Sequence, residues 1–172
     1  HPESVNALFT QAQAQQMRLI TGLCLMDRHA PADLLNQPSA PGRQDATEQS
    51  LIDSENLLQR WHGKDRLGYA ITPRFAPTST AAQLRGAGEL AARYPDVWIQ
   101  SHVAENKDEI TWARTLFPAS SSYLATYADF GLMRDRPAVF VRIQDAEGAV
   151  GWGEVSGSAG LRSITRGEDQ RQ

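Results

Sequence analysis

Val-Trp-Ile-Gln-Ser-His-Val-Ala-Glu-Asn-Lys-Asp-Glu-Ile, residues 97–110, is the stretch that decides the fold. Its apolar beginning predicts a short strand that ends at His102, and Asn106 then begins a helix. Glu105 stands between these two elements. An imidazole and a carboxylate are therefore expected together at the carboxyl end of a strand, where parallel α/β folds carry their functional groups.

The same order of strand and helix precedes this stretch. A near-continuous apolar run over 18–26, with one glycine, predicts a strand buried on both faces. Further strands are predicted over Leu67–Phe75 and Val97–Val103. Helices are predicted from apolar spacing over residues 2–17, 47–62, about 79–94, 106–117 and 122–130.

Several residues predict where these helices begin and end. Gly63 is suited to end a helix, and Thr78 or Ser79 to begin one. Asn106, with Glu109 three residues later, resembles a capping box. Alternation of strands and helices implies parallel strands joined by right-handed crossovers. The predicted fold is therefore α/β, with about three βα units that form part of a (β/α)8 TIM barrel or part of an open sheet.

The character of the sequence changes after Met133. Two β-rich runs, Ala138–Gln144 and Ala149–Val155, with a short connection that contains glycine, predict a hairpin. Residues 156–172 are polar and poorly periodic, so a flexible tail is expected. Residues 36–44 are rich in Pro, Ser, Gly and Gln and are expected to form an exposed loop.

Composition limits the class of protein. The chain has 172 residues, 41% hydrophobic and 22% charged, which suits one soluble domain with a core. The net charge of -3 argues against a nucleic-acid partner. No apolar stretch is long enough for a membrane helix. Cys24 cannot form an internal disulfide and is expected to be a small core residue rather than a nucleophile, which favours a cytoplasmic location.

His102 is the best candidate for a metal ligand, because zinc binds imidazole and a ring at a strand end can point into the mouth of the sheet. The other histidines, His1, His29 and His62, are weaker candidates, and the sequence has no His-x-His or Cys-x-x-Cys pair. The alternative for His102 is a hydrogen-bonded, half-buried side chain.

Glu105 could transfer protons, since a carboxylate in a dry pocket can have its pKa raised towards neutrality. It could equally do no more than complement the positive end of the following helix. Asp108 and Glu109, at the start of that helix, are assigned to capping and solvation.

Arg74 and Phe75 are the candidates for recognition of a flat heterocycle, through a planar guanidinium and a stacking ring. The alternative is a surface ion pair beside a core aromatic. Asp27 and Arg28 are expected to pair with each other or to cap the turn after the first strand.

Three segments, Leu25–Pro31, Tyr69–Thr78 and Gln100–Glu109, resemble the guanine deaminase family of the amidohydrolase superfamily. The resemblance covers residues 1–136 and implies a (β/α)8 barrel with one catalytic zinc. It also implies guanine as substrate, converted by hydrolysis to xanthine and ammonia.

The resemblance implies a role for each candidate. His102 corresponds to a zinc ligand, Glu105 to the proton shuttle, and Arg74 and Phe75 to residues that hold and stack guanine. The other zinc ligands of the family have no counterpart in this sequence, so the chain alone is predicted to be inactive. The alternative is a non-catalytic protein whose exposed sheet edges favour partner binding or a homo-oligomer.

Residues 137–155 are similar to the hairpin of the N-terminal capping domain in mandelate racemase-like members of the enolase superfamily. The predicted organisation is therefore a partial amidohydrolase barrel over 1–136, a hairpin over 137–155 and a tail over 156–172. A gene fusion, a frameshift or an assembly artefact would each produce such a junction.

Overall fold

Four short parallel strands form the sheet of the first unit of the chain. They are β1 (Leu19–Thr21), β2 (Cys24–Leu25), β3 (Leu67–Pro73) and β4 (Trp98–Ile99). The strands β1 and β2 both pair with β3, in one continuous register that joins Leu19 to Leu67 and Cys24 to Thr72. The two are therefore halves of one interrupted strand, and β4 pairs in parallel with β3 as well.

The computed structural model describes residues 1–32, 34–36 and 46–133, together with the backbone of two strands at 138–144 and 150–156. The chain divides into two compact units, residues 1–133 and 134–172. Of the loop predicted over 36–44, only residue 36 is among the described residues. Of the tail predicted over 156–172, only residue 156 is.

A break at Gly22 and Leu23 corrects the continuous strand predicted over 18–26. A Cβ added at Gly22 would lie 1.8 Å from the carbonyl oxygen of Ala70, so only glycine allows this close approach to β3. The next backbone N–H, of Leu23, donates to the hydroxyl of Tyr69 (3.0 Å) instead of to a strand carbonyl. Burial on both faces was also wrong, because Ile20 is 45% exposed.

Five helices accompany the sheet. They are α1 (Pro2–Ala14), α2 (Ala46–Trp61), α3 (Ala81–Arg93), α4 (Lys107–Leu116) and α5 (Tyr123–Asp129). Each matches a predicted helix. The start of α3 differs from its prediction: Thr80 caps it by accepting from the N–H of Gln83 (3.2 Å). The hydroxyls of Thr78 and Ser79 instead donate to the carbonyls of Phe75 and Leu25.

The core lies between the sheet and the helices α1, α2 and α3. Phe9 of α1 stacks on Trp61 (5.5 Å between ring centroids) and on Tyr69 (6.3 Å), and it is fully buried. Leu84 and Leu90 are buried on one face of α3. This packing fixes β3, the central strand, on which the candidate site depends.

Strand β4 is shorter than the strand predicted over Val97–Val103, so His102 follows the strand at a distance of three residues. The N–H of Gln100 still donates to the carbonyl of Ile71 (3.1 Å). The next ladder bond would need an N–H at Pro73, which proline lacks. The chain of β4 therefore leaves the ladder before it reaches His102.

The second unit contains the predicted hairpin. Strand β5 (Ala138–Gln144) pairs antiparallel with β6 (Val150–Ser156), and Gln144 lies opposite Val150. Among the described residues of the whole chain, no helix is long and apolar enough to cross a membrane.

Candidate active site

The candidate residues follow the carboxyl ends of neighbouring strands. Arg74 and Phe75 come directly after β3, and His102 comes after β4. Because parallel strands end at the same edge of a sheet, these side chains share one edge. Arg74 is also tied to the other neighbour, since its N–H donates to the carbonyl of Leu25 in β2 (3.1 Å).

His102 makes two bonds to one atom. Its backbone N–H and its Nδ1 lie 3.0 Å and 2.7 Å from the carbonyl oxygen of Arg74. A carbonyl can only accept, so the Nδ1 atom carries the proton and the Nε2 atom of the neutral ring keeps its lone pair. The side chain is exposed. It is hydrogen-bonded, as the alternative expected, but it is not half-buried.

This arrangement suits a metal ligand. Histidines that bind metals usually donate the N–H of the other ring nitrogen to a carboxylate or a backbone carbonyl, which fixes the tautomer and the ring orientation. His62 is used differently. Its Nδ1 accepts from the N–H of Tyr69 (3.0 Å), and its Nε2 lies 3.2 Å from Asp96. His62 therefore has a structural role.

Glu105 and Phe75 line the same open cleft, of about 480 Å³. The cleft is formed by Phe75, Glu105, Asn106, Asp108, Glu109 and Trp112. Glu105 is exposed there, so the dry pocket predicted for it is not found among the described residues. Its position is set by the backbone, since Ala104 has a φ of 56° and the N–H of Glu105 donates to Glu109 (3.2 Å).

Phe75 is half-buried, and its ring meets the ring of Trp112 edge to face at 6.0 Å between centroids. The guanidinium of Arg74 lies 5.3 Å from the centroid of Phe75. Arg74 forms no ion pair with any described residue, and Phe75 is not a core side chain. Neither the ion pair nor the core aromatic of the alternative is found among the described residues, and both side chains are only partly buried.

Glu109 departs from its predicted role as a solvated capping residue. Asn106 accepts from the N–H of Glu109 (2.8 Å), as the capping box predicts. The carboxylate of Glu109, however, is buried at 5% exposure, and its Oε1 atom has no hydrogen-bond partner among the described residues. Burial, together with this carboxylate, raises the pKa of Tyr123.

Asp27 caps the turn and does not pair with Arg28. Its carboxylate accepts from the N–H and the hydroxyl of Thr80 (2.7 and 2.6 Å) and from the hydroxyl of Thr47 (2.6 Å). Arg28 instead lies over the ring of Phe117, 5.1 Å from its centroid. Asp27 thus joins the end of β2 to the start of α3.

Cys24 is partly buried, and burial raises the pKa of its thiol. A raised pKa leaves little thiolate at neutral pH, and this argues against Cys24 as a nucleophile.

Sequence reasoning missed Tyr127. Its hydroxyl accepts from the N–H of Ala76 (2.9 Å) and from the hydroxyl of Ser101 (2.7 Å), and it donates to the carbonyl of His102 (2.8 Å). The only sequence signal was an aromatic residue on the apolar face of a short helix. That pattern predicts burial and says nothing about the partners of the hydroxyl.

A profile with the description "Amidohydrolase family" matches residues 1–144. The chain belongs to the amidohydrolase family. The match extends through β5, beyond the boundary predicted at residue 136, and the similarity of the hairpin to an enolase-superfamily capping domain stays a prediction.

Relatives of this amidohydrolase include guanine deaminases. It is 47% identical over 132 residues to the guanine deaminase of Escherichia coli strain K12, covering 77% of this chain and 28% of that protein. It is 33% identical over 133 residues to a probable guanine deaminase of Deinococcus radiodurans, again covering 77% and 28%. The chain therefore spans little more than a quarter of the length of these relatives.

Solved structures give the same result. The structure of E. coli guanine deaminase has a TM-score of 0.70 at 46% identity, covering 77% of this chain and 29% of that one. A crystal structure of guanine deaminase from C. acetobutylicum, with guanine bound in the active site, has a TM-score of 0.70 at 29% identity and covers 80% and 30%.

Membership of the amidohydrolase family implies a metal cofactor, usually zinc. A zinc site takes three or four protein ligands. The part of the chain that the structure describes holds no cluster of three or more His, Cys, Asp or Glu side chains able to bind a metal. These described residues therefore do not fit a complete catalytic zinc site, and His102 stays a candidate for one ligand.

Proposed function

We propose that this chain carries the guanine-recognition and proton-transfer residues of a guanine-deaminating amidohydrolase, on about three βα units of a (β/α)8 barrel. The observation that supports it best is the pair of hydrogen bonds from the backbone N–H and the ring Nδ1 of His102 to the carbonyl of Arg74. It joins the candidate metal ligand directly to the candidate recognition residue. The homologous guanine deaminases support the same substrate.

Each residue has a stated task in this proposal. The Phe75 ring stacks on the purine, and the Arg74 guanidinium donates to its carbonyl oxygen or ring nitrogen. Glu105, which lines the cleft together with Phe75, would move protons between water, the ring and the leaving amine in a complete site. His102 would offer Nε2 as one ligand of the metal. A zinc ion held in a complete site would supply activation of the water that displaces the amine.

The chain by itself does not turn over guanine in this proposal, because its described residues hold no cluster of three side chains able to bind zinc. Incubation with zinc and guanine, followed by assay for xanthine, tests this part. Turnover that disappears in His102→Ala would contradict it.

Guanine recognition is tested separately, by NMR titration of the 172-residue chain with guanine. Guanine is expected to shift the amide signals of Phe75 and Glu105, and adenine, which lacks the carbonyl oxygen, to shift them less. Arg74→Lys should weaken the guanine response, because lysine cannot present a planar pair of donors. Equal responses to the two bases, or none, would contradict guanine recognition.

Arg85→Lys is the matched control for that titration. Arg85 also lies over a phenylalanine, Phe130, with its guanidinium 6.0 Å from the ring centroid, but it belongs to α3 and does not line the cleft. Its replacement should leave the guanine response unchanged.

The second candidate is a non-catalytic protein that associates with itself. Among the described residues, the interrupted strand β1–β2 and the strand β4 each pair only with β3, and Ile20 of β1 is exposed. Unpaired strand edges favour association. Light scattering over a range of concentrations tests it: a mass that rises with concentration, and falls back in Ile20→Lys, supports self-association.

A further inference from the structure

Tyr127 has a buried hydroxyl whose hydrogen-bonding capacity is filled. The residue is 4% exposed, and its hydroxyl accepts two bonds and donates one. A hydroxyl has one donor and two acceptor positions, so no position is left for water or a ligand. A buried hydroxyl that makes all three of its possible hydrogen bonds holds the partner groups in one arrangement.

The three partners of Tyr127 belong to the two segments that carry the candidate site. Ala76, whose N–H donates to the hydroxyl, follows Phe75 directly in the loop after β3. Ser101 and His102 lie in the loop after β4. Tyr127 itself comes from α5, so a later part of the chain locks the two loops to each other.

His102 is consequently held on three sides. Its N–H and Nδ1 bond to the carbonyl of Arg74, and its own carbonyl accepts from Tyr127. Arg74 fixes the ring, and Tyr127 fixes the peptide from which the ring projects. Because β4 leaves the sheet ladder before His102, the ladder itself does not hold this peptide.

We propose that Tyr127 is a positioning residue for His102 and for the Phe75 loop. This rests on the proposed function, in which those two residues bind metal and purine. Without the hydroxyl, the loops after β3 and β4 would lose their shared anchor, and the imidazole would no longer be held in one orientation on the carbonyl of Arg74.

Tyr123 provides a matched control. It lies one turn earlier on the same helix, stacks on Tyr127 with 5.9 Å between ring centroids, and is buried to the same degree. Its hydroxyl makes no bond to the loops after β3 and β4 among the described residues, and it interacts with the side chains of Glu109 and Tyr127 instead. Tyr123→Phe therefore removes the same atom from the same helix without removing a direct bond to Ala76, Ser101 or His102.

The test is NMR spectroscopy of the full chain, with the tautomer of the His102 ring and the hydrogen exchange of the Ala76 amide as readouts. Tyr127→Phe is expected to move His102 from the Nδ1–H form towards the mixture of a free imidazole. It should also speed exchange at Ala76 by about tenfold relative to amides in α2. Tyr123→Phe is expected to change neither.

Two outcomes overturn the proposal. In one, His102 and Ala76 in Tyr127→Phe are the same as in the parent chain. In the other, both variants change them equally, which would mean that general packing is responsible. If Tyr127→Phe does not fold, Ser101→Ala decides instead. It removes one donor from an exposed residue and should shift His102 in the same direction, and an unchanged ring would overturn the proposal.

These readouts need neither guanine nor metal, so they separate the two proposals. A parent chain that does not respond to guanine contradicts the proposed function, while the change of His102 in Tyr127→Phe still measures positioning. A parent chain that binds guanine, with His102 unchanged in Tyr127→Phe, contradicts positioning alone.

Discussion

The Nδ1 atom of His102 lies 2.7 Å from the carbonyl oxygen of Arg74, and the backbone nitrogen of the same histidine lies 3.0 Å from that oxygen. Two donors thus use the two lone pairs of one carbonyl. Ring and backbone are fixed together on the neighbouring strand. The relationship explains how a histidine outside the regular strand can keep a defined orientation.

The first prediction concerns the tautomer of His102. The neutral ring is expected to be protonated at Nδ1, as is that of His29, whose Nδ1 donates to the carbonyl of Pro77 (2.9 Å). His62 is expected in the opposite form, because its Nδ1 accepts from the N–H of Tyr69 (3.0 Å). Two-bond ¹⁵N–¹H correlation spectra at about pH 8, above the usual pKa of histidine, distinguish the forms. Protonation of His102 at Nε2 would contradict the geometry.

The sequence predicted the order and type of the elements, because apolar periodicity and capping residues act over short distances. Asn106 caps α4, and Gly63 has the left-handed φ of 74° that a glycine after a helix adopts. Strand ends were predicted less well. They depend on ladder partners far away in the chain, such as the missing N–H at Pro73 and the carbonyl of Ala70 that Gly22 approaches.

The candidate site was predictable in its residue types and not in its connections. Arg74, Phe75, His102 and Glu105 stand out because they follow strands. Nothing in the sequence links the carbonyl of Arg74 to the ring of His102, or Tyr127 to either loop, because a hydrogen bond between distant segments leaves no periodic pattern. The burial of Glu109 was not predicted because acidic residues in the first turn of a helix are usually exposed to solvent.

The second prediction concerns Asp27. Asp27→Ala should lower the free energy of unfolding by about 2–4 kcal/mol, because three bonds to a charged acceptor are lost and the N–H of Thr80 loses its partner. Urea denaturation followed by circular dichroism measures the change. The control is Asp129→Ala, since Asp129 is exposed and accepts one bond, from Ser120. Asp129→Ala should change the free energy of unfolding by no more than about 0.5 kcal/mol. Equal costs would contradict the capping role of Asp27.

The third prediction is a loss of stability in alkali. Burial raises the pKa of Tyr69, Tyr123 and Tyr127 in the folded chain. Above the usual tyrosine pKa of about 10, the unfolded chain releases these protons while the folded chain keeps them, so the unfolded state is favoured. Stability is unaffected by these groups below that pH and falls above it, by up to about 1.4 kcal/mol per pH unit for each tyrosine.

Denaturant titrations between about pH 9 and pH 11 measure that slope, and phenolate absorbance measures ionisation. Tyr123→Phe removes one ionising group and should reduce the slope by up to about 1.4 kcal/mol per pH unit. Ionisation of all three phenols while the circular dichroism spectrum stays native would show that they are not buried as described.

The fourth prediction compares two glycines. In Gly22→Ala the new methyl group would lie 1.8 Å from the carbonyl oxygen of Ala70, a backbone atom of the central strand β3. The variant should lose about 3 kcal/mol of unfolding free energy. In Gly63→Ala the new methyl group meets no atom within 4 Å. The only expected loss, about 1 kcal/mol of unfolding free energy, comes from placing alanine at a φ of 74°. Urea denaturation ranks the two. A smaller loss at position 22 would mean that the strand is not interrupted by a close approach to β3, and that β1 and β2 are separated for another reason.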